Sequence, residues 1–490
     1  MAGLFLNEDD SNFFMSFLDK DMTREGLEAF IRGYMRGQVG AIVLNPNAQR
    51  ASYDSHVIEP IWSSVEKDED GRPSFRGKTL GPNFQTWTTN ARLLHERGLN
   101  PYKIWLDVIR SEGLEGWISC RMNDLHDVHN DDSVMHDAFW REHPEYRCAP
   151  YFGDWFGRAL DYGFSDVRDY RMALIEEFLN LFECDGIELD WLRFPVCLKP
   201  GYEIEDAEAV TDIVRRTRKL ADAKGEERHC RIKVGVRVPS RPDDARRLGY
   251  DVLTWSKEGL IDSVTVSNFW PTTDSDMPIE IWRGLLRDGI ELNAGLDINI
   301  GAYPAAAMIP CTAAMTAGFA AEYLHRGANH VYLFNYMNGL TGMSNPKEFA
   351  EVLEKCGEKE SVYEMTRRHV VTYTTPRPVG VPMDCALPRT LGGGWQNFRV
   401  NVGGGTICRT GYAVIGLKEP LAEGQEISIK ANGADCFETE ETFDLEFPPH
   451  VAATAVRQIP MRELHDGDNV LSVRLDGGEA TAVWCEIYLP

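Results

Sequence analysis

The apolar and polar positions fall into two patterns that change over at about residue 370. In the first, short runs rich in β-branched and aromatic residues alternate with stretches whose apolar residues recur every three or four positions. The runs are "GLFLN" (3–7), "GAIVLN" (40–45), "GWISCRMN" (116–123), "GIELDW" (186–191), "IKVGVRVP" (232–239), "DSVTVSNF" (262–269), "IELNAGLDI" (290–298) and "HVYLFNY" (330–336). Between them, 166–182 places Val167, Tyr170, Leu174, Phe178 and Leu181 on one helical face. A second helix is expected over roughly 312–326, with Met315, Phe319 and Tyr323 aligned and Gly327 as its stop. Eight strands alternating with helices predict a (β/α)8 barrel. The open doubly wound alternative lacks a glycine-rich phosphate turn after its first strand. Two connections, 48–86 and 124–164, are long enough to serve as lids or binding walls on the C-terminal face.

The second pattern opens with "TTPRPVGVP" (374–382), a proline-rich linker signal. Short alternating strands follow, including "EISIKANG", "NVLSVRLDGG" and "TAVWCEIYL", with Asn432-Gly433 and Asp476-Gly477 as turns. The expected domains are a barrel over 1–370 and an antiparallel β-sandwich over 371–490.

Composition narrows the class. A chain of 490 residues exceeds one small core. A net charge of −25 argues against nucleic acid or an anionic membrane surface as partner. The eleven cysteines are scattered without a C-x-x-C pair, which fits free thiols in a reducing compartment. The first residues lack the basic start of a signal peptide and no apolar run approaches transmembrane length, so a cytoplasmic location is expected. No cofactor is expected. His126 and His129, with Asp127, Asp131 and Asp132, match no strong metal spacing and read as a solvated loop.

The segment "CDGIELDWLRFP" (184–195) carries the chemistry. Side chains alternate along a strand, so Ile187, Leu189 and Trp191 share one face while Glu188 and Asp190 share the other. In a barrel the apolar face packs under the helices and the carboxylates point inward, Asp190 nearer the C-terminal rim where catalytic groups belong. "DGIELDWLRFP" resembles the fourth-strand signature of glycosyl hydrolase-like family 10, a (β/α)8 family whose strand reads D-G-I-H-hydrophobic-D. "GYDVLTWSKEGLIDSVTVSNFW" (249–270) resembles that family's approach to strand six. Glu188 stands where the family has histidine. Family 18 chitinases share D-G-x-D-x-D-W-E, but their catalytic glutamate would fall on Leu192, which sets substrate-assisted chemistry aside.

The resemblance implies hydrolysis of a glycosidic bond in an oligo- or polysaccharide by two carboxyl groups, one protonated and one ionised. Asp190 is the first candidate, as nucleophile or base. Asp297, at the end of strand seven, is its expected partner, with Glu188 and Asp124 as rivals. Glu188 could instead pair with an arginine and tune Asp190. If the strands hold, Asn7, Glu8, Asn45, Asn47, Arg121, Asn123, Asp124, Arg193, Arg237, Arg241, Asn268, Trp270, Asn335 and Tyr336 converge on the same rim. Amides, carboxylates and aromatics suit a polyhydroxylated ring. The four arginines either neutralise the carboxylates or bind an acidic glycan. Two alternatives stay open: a polysaccharide lyase acting on an acidic glycan, and a non-catalytic glycan-binding protein on a degenerate barrel.

Overall fold

In a computed structural model that describes residues 3–148, 155–337, 343, 345–407 and 409–490, eight parallel strands close a barrel in sequential order. They are β1 Leu4–Glu8, β2 Val39–Leu44, β3 Glu115–Arg121, β4 Gly186–Asp190, β5 Lys233–Pro239, β6 Ser263–Ser267, β7 Glu291–Asp297 and β8 His330–Phe334, with Leu4 of β1 opposite Val331 of β8 at the closure. The helices at Ser165–Leu181 and Ala313–Arg326 match the periodic segments. Among the described residues no helix is long and apolar enough to cross a membrane, and all ten cysteines are free.

Strand alternation sorts the interior. Ile187 and Leu189 of β4 join the apolar layer beneath the helices. Inside the barrel Phe5, Ala41, Val43, Trp117, Tyr332 and Phe334 form a separate apolar plug. Trp117 fits only because β4 opens with glycine: a Cβ on Gly186 would lie 2.5 Å from the indole. Above the plug the inward positions turn polar. Arg121, Asp190 and Arg237 are register partners on β3, β4 and β5, and so stand at one level.

The two long connections fold against each other over the barrel mouth. Residues 48–86 contain a small antiparallel sheet of Val65–Lys67, Pro73–Phe75 and Lys78–Thr79. The fully buried Arg50 ties that connection to the next one. Its Nε donates to the His136 carbonyl at 3.1 Å, Nη1 donates to the Ser63 carbonyl at 3.1 Å, and Nη2 pairs with Glu59 at 2.8 Å.

The C-terminal part is an antiparallel sandwich. One sheet runs β9 Arg367–Val370, β16 Ala480–Leu489, β12 Gly411–Leu417, β14 Ala453–Ile459, with β10 Arg389–Leu391 added on β16. The other contains β11 Gln396–Asn401, β15 Asp468–Asp476 and β13 Glu426–Ala431 in that order. The sandwich therefore starts at Arg367, ahead of the expected boundary. The start of the proline-rich segment is also not a free linker, because its threonines bond to the barrel. Thr372 N donates to Ser275 Oγ at 2.9 Å, Thr374 Oγ1 donates to Asp274 at 2.9 Å, and Thr375 N donates to Asn268 Oδ1 at 3.0 Å. The barrel helix Ala313–Arg326 forms the seam. Thr312 caps it, Gly327 ends it at φ 107°, and eleven of its fourteen residues are buried. Gly318 lets β9 approach, since a Cβ there would lie 2.2 Å from the Arg368 carbonyl oxygen.

Candidate active site

Asp190 ends β4 and points into the barrel. Its Oδ1 accepts from Leu192 N at 3.0 Å, from Arg193 N at 3.1 Å and from Arg237 Nη1 at 3.0 Å. The same Nη1 reaches Oδ2 at 3.1 Å. Arg237, fully buried, lies with its guanidinium 3.8 Å from the centre of the Phe334 ring at the top of the plug. Among the described residues its Nε and Nη2 have no hydrogen-bond partner.

Glu188 lies deeper and does not take an arginine. Ser119 Oγ donates to it at 2.8 Å and Tyr332 Oη at 3.0 Å. Burial, reinforced by the neighbouring Asp190 charge, holds its carboxyl above the usual range. Asp297, at the end of β7, accepts from Asn299 N at 2.8 Å and from Asn299 Nδ2 at 3.2 Å. Burial raises it to about 6, against the opposing pull of Asn299, Arg237 and Arg193. The three inward carboxyls thus occupy different electrostatic settings within reach of the same arginine.

Beside them opens a cavity of about 230 Å³, whose wall includes Asp9, Asp10, Arg121, His126, Arg193 and Asn335. Arg121 Nη1 contacts Asp10 at 3.0 Å and Asp124 at 3.2 Å, and its Nη2 pairs with Asp9. Burial works against ionisation of all three carboxyls. In Asp9 the Arg121 charge, joined by hydrogen bonds with Asp10 and Ser11 and by the Arg193 charge, outweighs burial and holds the group far below its usual range. In Asp124 the contact with His126 and the Arg121 and Arg193 charges together do the same. In Asp10 burial wins, reinforced by Asp9 and Asp124, and the carboxyl is held well above its usual range. His126 Nδ1 sits 2.8 Å from Asp124 and its Nε2 sits 2.8 Å from Arg193 Nη2. Because a guanidinium can only donate, Nε2 accepts and the ring proton lies on Nδ1, toward Asp124. Arg193 joins the cavity to the inner carboxyls: its side chain lines the wall while its backbone N–H holds Asp190.

Several sequence candidates do other work. Asn123 Nδ2 donates to the carbonyls of Leu160 and Val196 at 3.0 and 3.1 Å, and its Oδ1 accepts from Leu160 N at 3.1 Å. Asn268 is equally committed, to Thr272, Tyr373 and Thr375. Both amides are engaged with the backbone of distant segments, which gives them a bracing role. Arg241 bonds Thr374 Oγ1 at 2.8 Å and the Asp276 carbonyl at 3.3 Å, anchoring the segment that leads to the sandwich. Tyr336 is fully buried with its hydroxyl 3.1 Å from Thr316 on the seam helix. Glu8 faces outward, accepting from Asn12 at 3.0 Å and Tyr34 at 2.8 Å, and burial raises it to about 8. Asn45 donates to the Ser119 carbonyl at 2.8 Å and Asn47 to the Ala48 carbonyl at 2.7 Å. Trp270 is exposed, but in a different cavity.

Asp9, Asp10 and the role of His126 escaped the sequence reading. The doublet "DD" directly after the first strand was the available signal, since it occupies the rim position where the other strands carry their polar residues. No metal-sized cluster of His, Cys, Asp and Glu occurs among the described residues.

No protein-family model matches this chain, and no curated protein does. Solved structures similar to it include glycoside hydrolases. A cycloisomaltooligosaccharide glucanotransferase from Paenibacillus sp. shares 10% identity at a TM-score of 0.33, over 99% of this chain and 57% of that one. An α-L-fucosidase from Paenibacillus thiaminolyticus shares 10% at 0.41, over 72% of this chain and 48% of that one. A β-L-arabinopyranosidase from Geobacillus stearothermophilus shares 12% at 0.39, over 96% of both. The chain thus spans about half the length of the first two.

Proposed function

We propose that this protein hydrolyses a glycosidic bond at the mouth of its barrel, with Asp190 as the ionised carboxylate and Asp297 as the acid. The observation that carries the reading is the contrast between these two groups. Asp190 is pinned by a guanidinium and two backbone amides, whereas Asp297 is raised by burial to about 6 and keeps its proton at mildly acid pH, where an ordinary aspartate has lost it. Such a split is what glycosidic cleavage needs: Asp297 protonates the departing oxygen while Asp190 supports or attacks the electron-poor anomeric carbon. Arg237 and Phe334 fix the Asp190 carboxylate, so little reorganisation accompanies the step. Glu188, whose carboxyl burial holds above the usual range, leaves Asp190 as the charge facing Arg237 at mildly acid pH. The likeness of "DGIELDWLRFP" to glycosyl hydrolase-like family 10 supports the same reading.

An acidic glycan is less well served. Arg121 is already shared by three carboxyl groups and Arg241 is spent on the segment leading to the sandwich. A panel of neutral pyranosides with a matched set of uronate glycosides, assayed for new reducing ends and for unsaturated products, tests the proposal. Release of reducing sugar that Asp190→Asn abolishes supports hydrolysis. Release of an unsaturated uronate, or tight binding with no product from any member, overturns it.

A further inference from the structure

A second cavity, about 440 Å³, opens on the same face of the barrel, and neither Asp190 nor Asp297 lines it. Its wall comes from the connections after β4, β6 and β7 and from the segment that leads into the sandwich. Two kinds of surface meet there. Trp155 and Trp270 leave 41% and 39% of their surface exposed. Set beside them are two phenol tips: among the described residues no hydrogen bond reaches the hydroxyl of Tyr303 or of Tyr373. Both rings are nonetheless braced. Tyr303 meets His450 of the sandwich edge to face at 5.4 Å, and Tyr373 packs over Gly301, whose Cβ would lie 4.0 Å from its Cε1. Among the described residues the wall carries no carboxyl group, and its one cation, Arg377, pairs with Asp244 at 3.1 Å.

We infer that this cavity is a sugar-binding subsite, holding one uncharged pyranose ring on the leaving-group side of the bond that is cut. The inference rests on the glycosidase reading and adds that the leaving group is itself a neutral sugar. The wall selects the ring. A pyranose offers a C–H face to an indole and a rim of hydroxyls to the phenol tips, so both kinds of surface are used at once. A wholly apolar occupant would enclose the two hydroxyls with no partner, which is unfavourable. A charged sugar would find no opposite charge to spare, because Arg377 is already paired and no carboxyl is present. The side of the bond follows from Asp297. Asn299–Ile300 and Ile309–Pro310 pair antiparallel directly beyond it, and the chain between them, from Gly301 to Met308, forms one wall. On the opposite wall burial, with Cys385 and Asp297 adding to it, pushes the Tyr373 hydroxyl up to about 12. The cavity thus adjoins the group that protonates the departing oxygen.

Calorimetric titration of the full chain carrying Asp190→Asn with cello-, malto-, xylo- and mannotetraose reads binding apart from turnover. One tetraose is expected to bind. Adding Trp270→Ala should weaken it about tenfold, and adding Tyr303→Phe with Tyr373→Phe, which keeps both rings and removes both hydroxyls, should weaken it about fivefold. Failure of every tetraose to bind overturns the inference, and so does binding that the tryptophan change leaves intact. Binding that the tryptophan change weakens but the tyrosine changes leave equal or tighter marks an apolar occupant and overturns it too. Kinetics on the bound tetraose then separate the subsite from the function. A tetraose held in the expected way but never cleaved by the wild type overturns hydrolysis and leaves the subsite standing. A tetraose cleaved with the same KM by the wild type and by Trp270→Ala overturns the subsite and leaves hydrolysis standing.

Discussion

Arg237 contacts both oxygens of Asp190 through a single nitrogen, Nη1, at 3.0 and 3.1 Å. The contact is charge-assisted, lies out of water, and is held from behind by the Phe334 ring. Arg237 therefore fixes where the carboxylate points without capping it with a two-pronged fork.

Replacing Asp190 with asparagine keeps the shape and removes the charge. Activity should fall by about 10²- to 10⁴-fold with the circular dichroism spectrum retained. Turnover within tenfold of wild type would exclude Asp190 from the chemistry.

Asp297 acts in its protonated form, so its contribution is full well below about 6 and declines as pH rises through that value. The alkaline limb of kcat should therefore turn near 6. Asp297→Asn should lose the limb and most activity on poor leaving groups, yet retain turnover of a dinitrophenyl glycoside, whose leaving group needs no proton. An unchanged alkaline limb in the variant would assign the acid elsewhere.

Glu8 gives a stability prediction away from the site. Its carboxyl titrates near 8 when folded, against an ordinary value of 4.5. The folded state therefore holds the proton more tightly, and this contribution is fully present below about 4.5 and lost as pH rises through about 8, at on the order of 1 kcal/mol per pH unit in between. Glu8→Gln removes the titration. The variant's melting temperature should gain on the wild type between about pH 5 and about pH 8. A gap that stays constant over that range would contradict the raised carboxyl.

The segment after β9 should resist protease up to Arg377, because Thr372, Thr374 and Thr375 are buried and bonded to the barrel. Limited proteolysis should instead nick the exposed stretch 379–384. The fragments should co-elute in gel filtration. Early cleavage between 371 and 376 would mean that the threonine contacts do not hold in solution.

The barrel and Asp190 were legible because period-two alternation is a local signal, and a charged face on a strand apolar on its other face stands out. Glu188 and Asp297 followed from the same rule. Arg241, Asn123 and Asn268 misled because residues at strand ends also tie down distant chain: Arg241 reaches Thr374 and Asn268 reaches Tyr373. No local pattern encodes such pairings. His126 was hidden for a related reason, since its partners Asp124 and Arg193 meet only once a long connection has folded over the mouth.

The seam helix Ala313–Arg326 has a thermodynamic consequence. Most of its surface is covered by the barrel on one side and by β9 and its neighbours on the other, and Gly318 leaves no side chain to fill the gap if β9 departs. Removing the sandwich would strip a core element of its second coat and expose Gly318, Ala321 and their neighbours. The two halves should therefore melt in one calorimetric transition rather than two, and a chain truncated before Arg367 should aggregate rather than persist as a free-standing barrel.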